Sequence, residues 1–151
     1  MTGRPDCQVR KATTNDAAAL VELNRSFNGA AHVETDPAAV QRSLERLTDE
    51  IVWVADCGER LAGFVCVQIH RSFCYARQSL EITELYVLPE ARRSRIGTKL
   101  LQEVLRFAAD ENVLEMNLRV NMKNKAAIRF YQANGLSEAK HRVFRVRLYG
   151  S

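Results

Sequence analysis

The sequence predicts a mixed α+β fold with a central, mostly antiparallel twisted sheet of six to seven strands flanked by about four helices. Three observations carry this. Three apolar runs follow one another between residues 51 and 88 with short breaks, the mark of a meander. Segments 97–111 and 124–134 carry apolar residues at helical spacing, on either side of an alternating stretch at 114–120. A length of 151 residues, 46% hydrophobic and 26% charged, suits one compact unit with a core of its own. No repeat, low-complexity tract or Gly/Ser linker divides the chain, so residues 1–151 are expected to form a single domain.

Each element has a local reason. Val9-Arg-Lys-Ala reads as a short first strand, and Thr14-Asn-Asp opens a helix whose apolar positions Ala17, Leu20, Val21 and Phe27 follow a 3.6-residue period until Asn28-Gly29 ends it. Asp36 before Pro37 supplies an N-cap and a first-turn proline, and Val40, Leu44 and Leu47 line one face of the helix that follows. Ile51-Val-Trp-Val-Ala and Leu61–Ile69 flank Asp56-Cys-Gly-Glu-Arg as a buried hairpin, and Leu80–Leu88 adds a third strand stopped by Pro89. Leu100, Leu101, Val104, Leu105 and Ala108 make one stripe of the helix Gly97–Glu111. Leu114, Met116, Leu118 and Val120 alternate with polar residues in a half-buried strand. Asn124–Asn134 is helical with Gly135 as its left-handed cap. Phe144, Val146 and Leu148 alternate with charges in a final strand, and Leu136–Ala139 is a candidate for a short seventh. The meander followed by strand-helix-strand units gives helices on both faces of the sheet.

Composition narrows the function classes. No apolar run reaches the roughly 18 residues of a membrane span, and the start Met1-Thr-Gly-Arg-Pro-Asp has no apolar signal core, so a cytoplasmic protein without membrane partners is expected. Cys7, Cys57, Cys66 and Cys74 share no metal or redox spacing and are expected as reduced thiols, Cys66 as a small core residue. With His32, His70 and His141 scattered, no metal site is expected. A net charge of +4 is too modest to require nucleic acid, and no aromatic stacking platform or recognition helix supports it, but it suits a polyanionic ligand.

The chemistry concentrates between Glu81 and Leu101, where a strand runs through an arginine-rich turn into a helix. Unpaired amides at a helix start lie at the positive end of its dipole and bind phosphate oxygens, and Arg92, Arg93, Arg95 and Lys99 add charge there. Neither a Walker signature nor G-x-G-x-x-G occurs, which argues against an NTPase or a dinucleotide enzyme. The run Val87-Leu-Pro-Glu-Ala-Arg-Arg-Ser-Arg-Ile-Gly-Thr-Lys-Leu-Leu, with Val120-Asn-Met-Lys-Asn-Lys-Ala-Ala-Ile-Arg-Phe-Tyr-Gln-Ala-Asn-Gly-Leu after it, resembles the GNAT superfamily of acetyl-CoA-dependent N-acetyltransferases. Arg92 and Gly97 take the first and last positions of its motif (Q/R)-x-x-G-x-(G/A). Asn124, Ala127 and Tyr131 keep its N-x-x-A-x-x-x-Y spacing. The likeness covers about residues 80–136, and the element order extends it to the whole chain. One departure stands out: the family usually has glycine where this chain has Arg95, and often another where it has Arg93, and those glycines let the backbone approach a pyrophosphate.

The resemblance implies direct transfer of an acetyl group from acetyl-CoA to a primary amine of a small molecule or peptide, without an acyl-enzyme. Aminoglycoside or polyamine acetylation and protein N-acetylation both remain open, and a non-catalytic acyl-CoA-binding or regulatory module is the alternative. It implies donor binding by Leu85, Tyr86, Val87, Arg92, Arg93, Ser94, Arg95, Ile96, Gly97, Thr98, Asn124, Ala127 and Tyr131, with Tyr131 as the acid for the departing thiolate. The ammonium must lose a proton before it attacks, so a base is needed. Glu81 matches the superfamily's base position and is preferred over Glu84, and a period of two sends the pair to opposite faces of the strand. Oxyanion donors are expected from a splayed strand around Leu85–Val87. The superfamily admits a homodimer, which the sequence leaves open.

Overall fold

The computed structural model describes residues 6–46 and 48–149. In order these form β1 (Gln8–Lys11), a 3₁₀ turn (Thr14–Asp16), α1 (Ala17–Asn28), α2 (Pro37–Glu45), β2 (Glu50–Asp56), β3 (Leu61–His70), β4 (Ser79–Val87), a 3₁₀ turn (Pro89–Ala91), α3 (Ile96–Asp110), β5 (Met116–Leu118) and α4 (Lys125–Ala133). They divide into two compact units between Arg119 and Val120. No described helix is long and apolar enough to cross a membrane.

The first unit is a five-stranded sheet in the order β1-β2-β3-β4-β5, antiparallel except for the parallel β4–β5 pair. The 3₁₀ turn that leads into α1 carries a capping box between Thr13 and Asp16, and α1 ends at Gly29, whose φ of 74° suits glycine. Asp36 caps α2 by accepting from the Ala38 amide at 3.0 Å, with Pro37 in the first turn as expected. Leu47 lies outside the described residues, and Val40 and Leu44 pack from α2 against the core.

Alternation of side chains splits the sheet into two faces. Val52, Val54, Phe64, Cys66 and Tyr86 meet Leu20 and Leu23 of α1 on one. On the other, Trp53 stacks edge-on against Phe107 of α3, and Val65 lies opposite both Trp53 and Leu85 in the ladder. Trp53, Val54, Val65, Val67, Leu80, Leu100, Leu101 and Val104 are the largest fully buried side chains. Each is worth roughly 1.5–3 kcal/mol against exposure. Where β3 begins against the end of β4, Gly63 admits a close approach, since a Cβ there would sit 2.5 Å from the Tyr86 carbonyl oxygen.

Three expectations are corrected. The strand at 114–120 contracts to Met116–Leu118, because β4 offers a parallel partner only over Leu80–Ile82. No strand forms at 136–139 or 144–148 among the described residues. Phe144, Val146 and Leu148 stay exposed, because an alternating pattern becomes a strand only when a neighbour takes up its backbone hydrogen bonds. Cys7 and Cys57 are joined in a disulfide rather than reduced. The β1–β2 register pairs Gln8 with Asp56, so the next step outward sets Cys7 against Cys57 at a Cα separation of 4.1 Å, a juxtaposition that spacing in sequence does not reveal. Cys66 and Cys74 are free, Cys66 buried as expected.

Candidate active site

Strand β4 carries the first part of the site. Cys66 pairs with Glu84 and Val67 with Ile82, so Thr83 is an extra residue, a β-bulge whose hydroxyl donates to the Cys66 carbonyl at 3.4 Å. The bulge resets the alternation. Glu81, opposite Gln68, and Glu84, opposite Cys66, therefore share the face covered by α1, whereas Ile82 and Leu85 point to the α3 side. The expected separation of the two glutamates to opposite faces is thus overturned, because a strictly alternating strand has no extra residue and this one does. Beyond Ile82, β4 has no strand partner on its β5 side among the described residues. Its backbone edge toward Val87 can offer amides there, as the expected splay requires.

The two glutamates differ in their surroundings. Both oxygens of Glu81 are engaged, one by Arg119 Nη2 at 3.2 Å and the other by His70 Nε2 at 3.1 Å. No cation of the first unit's described residues pairs with Glu84. On β2, Glu50 lies opposite Gln68 and so on the same face as Glu84, close enough to feel its charge; the sequence reading missed it. Burial, and then the charge of Glu84, raise the Glu50 pKa, while hydrogen bonds from the Cys66 thiol and Gln68 pull the other way. Burial likewise pushes the Cys66 thiol well above its ordinary range, aided by Glu50 and Glu84, so it is a poor nucleophile. In sequence, Glu50 is one of several acidic residues before a strand, and only the register brings it near Glu84.

The arginine-rich turn is the second part. The 3₁₀ turn Pro89–Ala91 ends β4's path, and Arg92 folds back so that its Nε donates to the Val87 carbonyl at 3.0 Å and its guanidinium lies 5.8 Å over the Tyr86 ring. Arg92 is thus a brace on the end of β4. The Ser94 hydroxyl donates to the Ala91 carbonyl, closing the turn on itself. Arg93 and Arg95 adopt φ of 63° and 65°, the left-handed backbone that glycine takes without cost. Arg95 is the N-cap of α3 and provides no side-chain acceptor, so the amides of Ile96, Gly97 and Thr98 are left for an external oxygen. The Ile96 side chain is buried, and only its backbone faces the turn. These residues fit a pyrophosphate: a positive helix end, open amides and three exposed arginines within four residues. Lys99 turns instead toward β1, donating to the Cys7 carbonyl at 3.2 Å.

In the second unit, Asn124 caps α4 by accepting from the Ala127 amide at 3.1 Å. Asn121 accepts from the Lys123 amide at 2.9 Å and so shapes the preceding turn. Tyr131 stacks edge-on with Phe130, and burial raises its hydroxyl pKa. Past α4 the Leu136 amide donates to the Tyr131 carbonyl at 3.0 Å and Gly135 takes a φ of 90°, the expected glycine cap.

Comparisons with known proteins bear on the family and the fold. The model of the acetyltransferase (GNAT) family matches residues 17–136. An uncharacterised N-acetyltransferase of Archaeoglobus fulgidus is 36% identical over 86 residues, covering 56% of this chain and 58% of that protein. The uncharacterised N-acetyltransferase YhfO of Bacillus subtilis is 24% identical over 134 residues, covering 86% of this chain and 89% of its own length. The chain spans about half the length of two of these relatives, 58% of the archaeal protein and 48% of a mouse N-acetyltransferase. An aminoglycoside acetyltransferase from an uncultured soil sample superposes with a TM-score of 0.83 at 18% identity, covering 95% of this chain and 97% of its own. Aminoglycoside N-acetyltransferase AAC(6')-Iy, solved with CoA, superposes at 0.82 and 16%, covering 99% of each. With the family model spanning both the arginine-rich turn and the capped helix α4, the chain belongs to the GNAT acetyltransferase family.

Proposed function

We propose that residues 1–151 act as one N-acetyltransferase domain that moves the acetyl group of acetyl-CoA directly onto a primary amine of a small molecule or peptide. The observation that carries this reading is the turn before α3, where Arg93 and Arg95 keep a left-handed backbone and leave the first amides of α3 open. Strain of this kind costs of order 1 kcal/mol per residue and persists where the surrounding structure over-determines it. Leu85, Tyr86 and Val87 would contribute backbone to the donor, as would Ser94 through Thr98. Asn124, Ala127 and Tyr131 are carried by motif resemblance.

In the reaction the acceptor ammonium gives a proton to a base, the free nitrogen attacks the thioester carbon, and the carbon–sulfur bond breaks as the thiolate takes a proton. Glu84 is our choice of base, because Glu81 is held by Arg119 and His70 while no cation among the described residues of the first unit pairs with Glu84. This reverses the preference drawn from sequence. Glu50 beside it adds negative charge that favours a cationic acceptor. Tyr131 is assigned as the acid for the thiolate. An amine-rich small molecule is favoured over a protein acceptor, supported by the neighbouring carboxylates Glu50 and Glu84 and by fold neighbours named as aminoglycoside acetyltransferases.

The test is CoA release from acetyl-CoA over a panel of aminoglycosides, polyamines and peptides. Glu84→Gln and Tyr131→Phe are each expected to lower kcat by roughly 10²-fold or more, and Glu81→Gln by much less. Binding of CoA with no acceptor turned over would favour a non-catalytic module, and no binding at all would remove the proposal's basis.

A further inference from the structure

Residues 71–78 join β3 to β4 and carry two arginines, and residues 111–115 join α3 to β5. Hydrogen bonds within the first loop set its path: the Ser72 hydroxyl accepts from the Cys74 amide at 3.2 Å and the Ser72 carbonyl from the Tyr75 amide at 3.3 Å. Asn112 takes a φ of 52°, a left-handed turn that asparagine tolerates, and its Oδ1 accepts from Arg77 Nη1 at 2.8 Å, which pins one loop to the other. Together they line a cleft of about 430 Å³ whose walls include Arg71, Tyr75, Arg77, Gln78, Glu111 and Asn112. That volume falls in the roughly 300–1,000 Å³ range of small-molecule sites. The nine-residue β4 sets it roughly 25 Å from the arginine-rich turn, at the opposite end of the strand.

The two walls of the cleft have opposite character. On the loop side Arg77 gives one N–H to Asn112, and Arg71 Nε stands 3.8 Å from Asp49 Oδ1 with its side chain largely in solvent, so most donors of the two guanidinium groups are left for an anion. On the helix side α3 ends at Glu111, its C-cap, with no basic residue in its last turn. A carboxylate and the negative end of the helix dipole meet there and favour a cation. Gln78, immediately before β4, supplies the third observation. Among the described residues its Oε1 is buried with no hydrogen-bond partner, and a buried acceptor without a donor is costly. The terminal torsion of glutamine is soft, so the amide turns toward a donor in the cleft at little cost. Anion donors on one wall, and a cation-favouring corner with an unused acceptor on the other, describe a ligand that carries both charges close together. We propose that this cleft binds a free α-amino acid, its carboxylate held by Arg71 and Arg77 and its ammonium by Gln78 Oε1 and Glu111. The site lies apart from the donor turn and from Glu84, and it stands independently of the catalytic reading given above.

The experiment is calorimetric titration of the full chain, without acetyl-CoA, with each of the common L-amino acids. At least one is expected to bind saturably. Its N-acetyl derivative, which lacks the ammonium, and its amide, which lacks the carboxylate, should each bind at least about tenfold more weakly, the loss of a charge-assisted hydrogen bond. Arg71→Met and Arg77→Met should weaken binding by a similar factor, and Arg71→Met supplies the comparison if Arg77→Met, which also loses the tie to Asn112, does not fold. Gln78→Leu should weaken binding about three- to tenfold while keeping or raising the urea midpoint, because it removes an unpaired buried acceptor. An amino acid is itself a primary amine, so Glu84→Gln separates this cleft from the acceptor site: that variant should bind as wild type does. Four outcomes overturn the proposal: no amino acid binds; the uncharged derivatives bind equally well; affinity is unchanged in all three cleft variants; or affinity is lost in Glu84→Gln and kept in both arginine variants.

Discussion

Arg93 and Arg95 occupy backbone conformations where a glycine would be unstrained, and the arginines that depart from the family motif still preserve its shape. Arg95→Gly should relieve that strain while loosening the unfolded chain, a net gain of up to about 1 kcal/mol by urea denaturation. CoA affinity should fall only by the loss of one guanidinium. A collapse in stability would show that Arg95 is held there by favourable contacts instead. Two carboxylates of the first unit respond to pH with opposite signs. Arg10, hydrogen-bonded to both oxygens of Asp16 at 2.8 and 2.9 Å, holds that carboxyl below its ordinary 3.8. Its contribution to stability is therefore present above the unfolded value and lost as pH falls through the folded one. Glu50 is raised above 4.5, so its contribution is present below that value and lost as pH rises through the folded pKa. Urea midpoints at about pH 7 and pH 3 should show Asp16→Asn losing stability mainly at the higher pH, and Glu50→Gln gaining stability there. The sequence showed Arg93 and Arg95 as charge and as missing glycines, but their φ angles follow from the packing of the whole turn.

At the scale of elements, the helices were the most legible. Asp36-Pro37 and Asn124 cap where local chemistry requires, and the α3 stripe of Leu100, Leu101 and Val104 is fully buried. Strands were legible as runs but not as registers. Thr83 is an ordinary residue in an apolar stretch, and nothing local marks it as the bulge that turns Glu81 and Glu84 to one face. Gly63 was read simply as part of a strand. Because a Cβ at this position would meet the Tyr86 carbonyl oxygen at 2.5 Å and Val87 at 3.2 Å, Gly63→Ala must push β3 from β4. The expected loss is about 1–3 kcal/mol in chemical denaturation. CoA affinity should fall too, since Tyr86 and Val87 lie where β4 meets the arginine-rich turn. Stability equal to wild type would mean the two strands separate there at little cost.

For the molecule as a whole, the Cys7–Cys57 cross-link joins residues 50 apart and restricts the unfolded chain. Cys57→Ser, or reduction, should lower unfolding free energy by about 2–4 kcal/mol. Trp53, the single tryptophan, buried against Phe107, reports the transition by fluorescence. No change in midpoint on confirmed reduction would show that the unfolded chain gains nothing from release.

What the sequence determined by itself was local or compositional: the helix caps, the apolar stripes, the order of strands and helices as far as α4, and the basic, helix-opening turn at Arg92–Gly97. These depend on residues within a turn or two of one another, where spacing and propensity act directly. What tertiary structure decided was every relation across strands. It placed Glu50 beside Glu84, occupied Glu81 with Arg119 and His70, paired Cys7 with Cys57, and left the alternating segment at 143–149 without a strand partner among the described residues. Register and bulges set such relations, and a shift of one residue exchanges the faces of a strand without changing its composition.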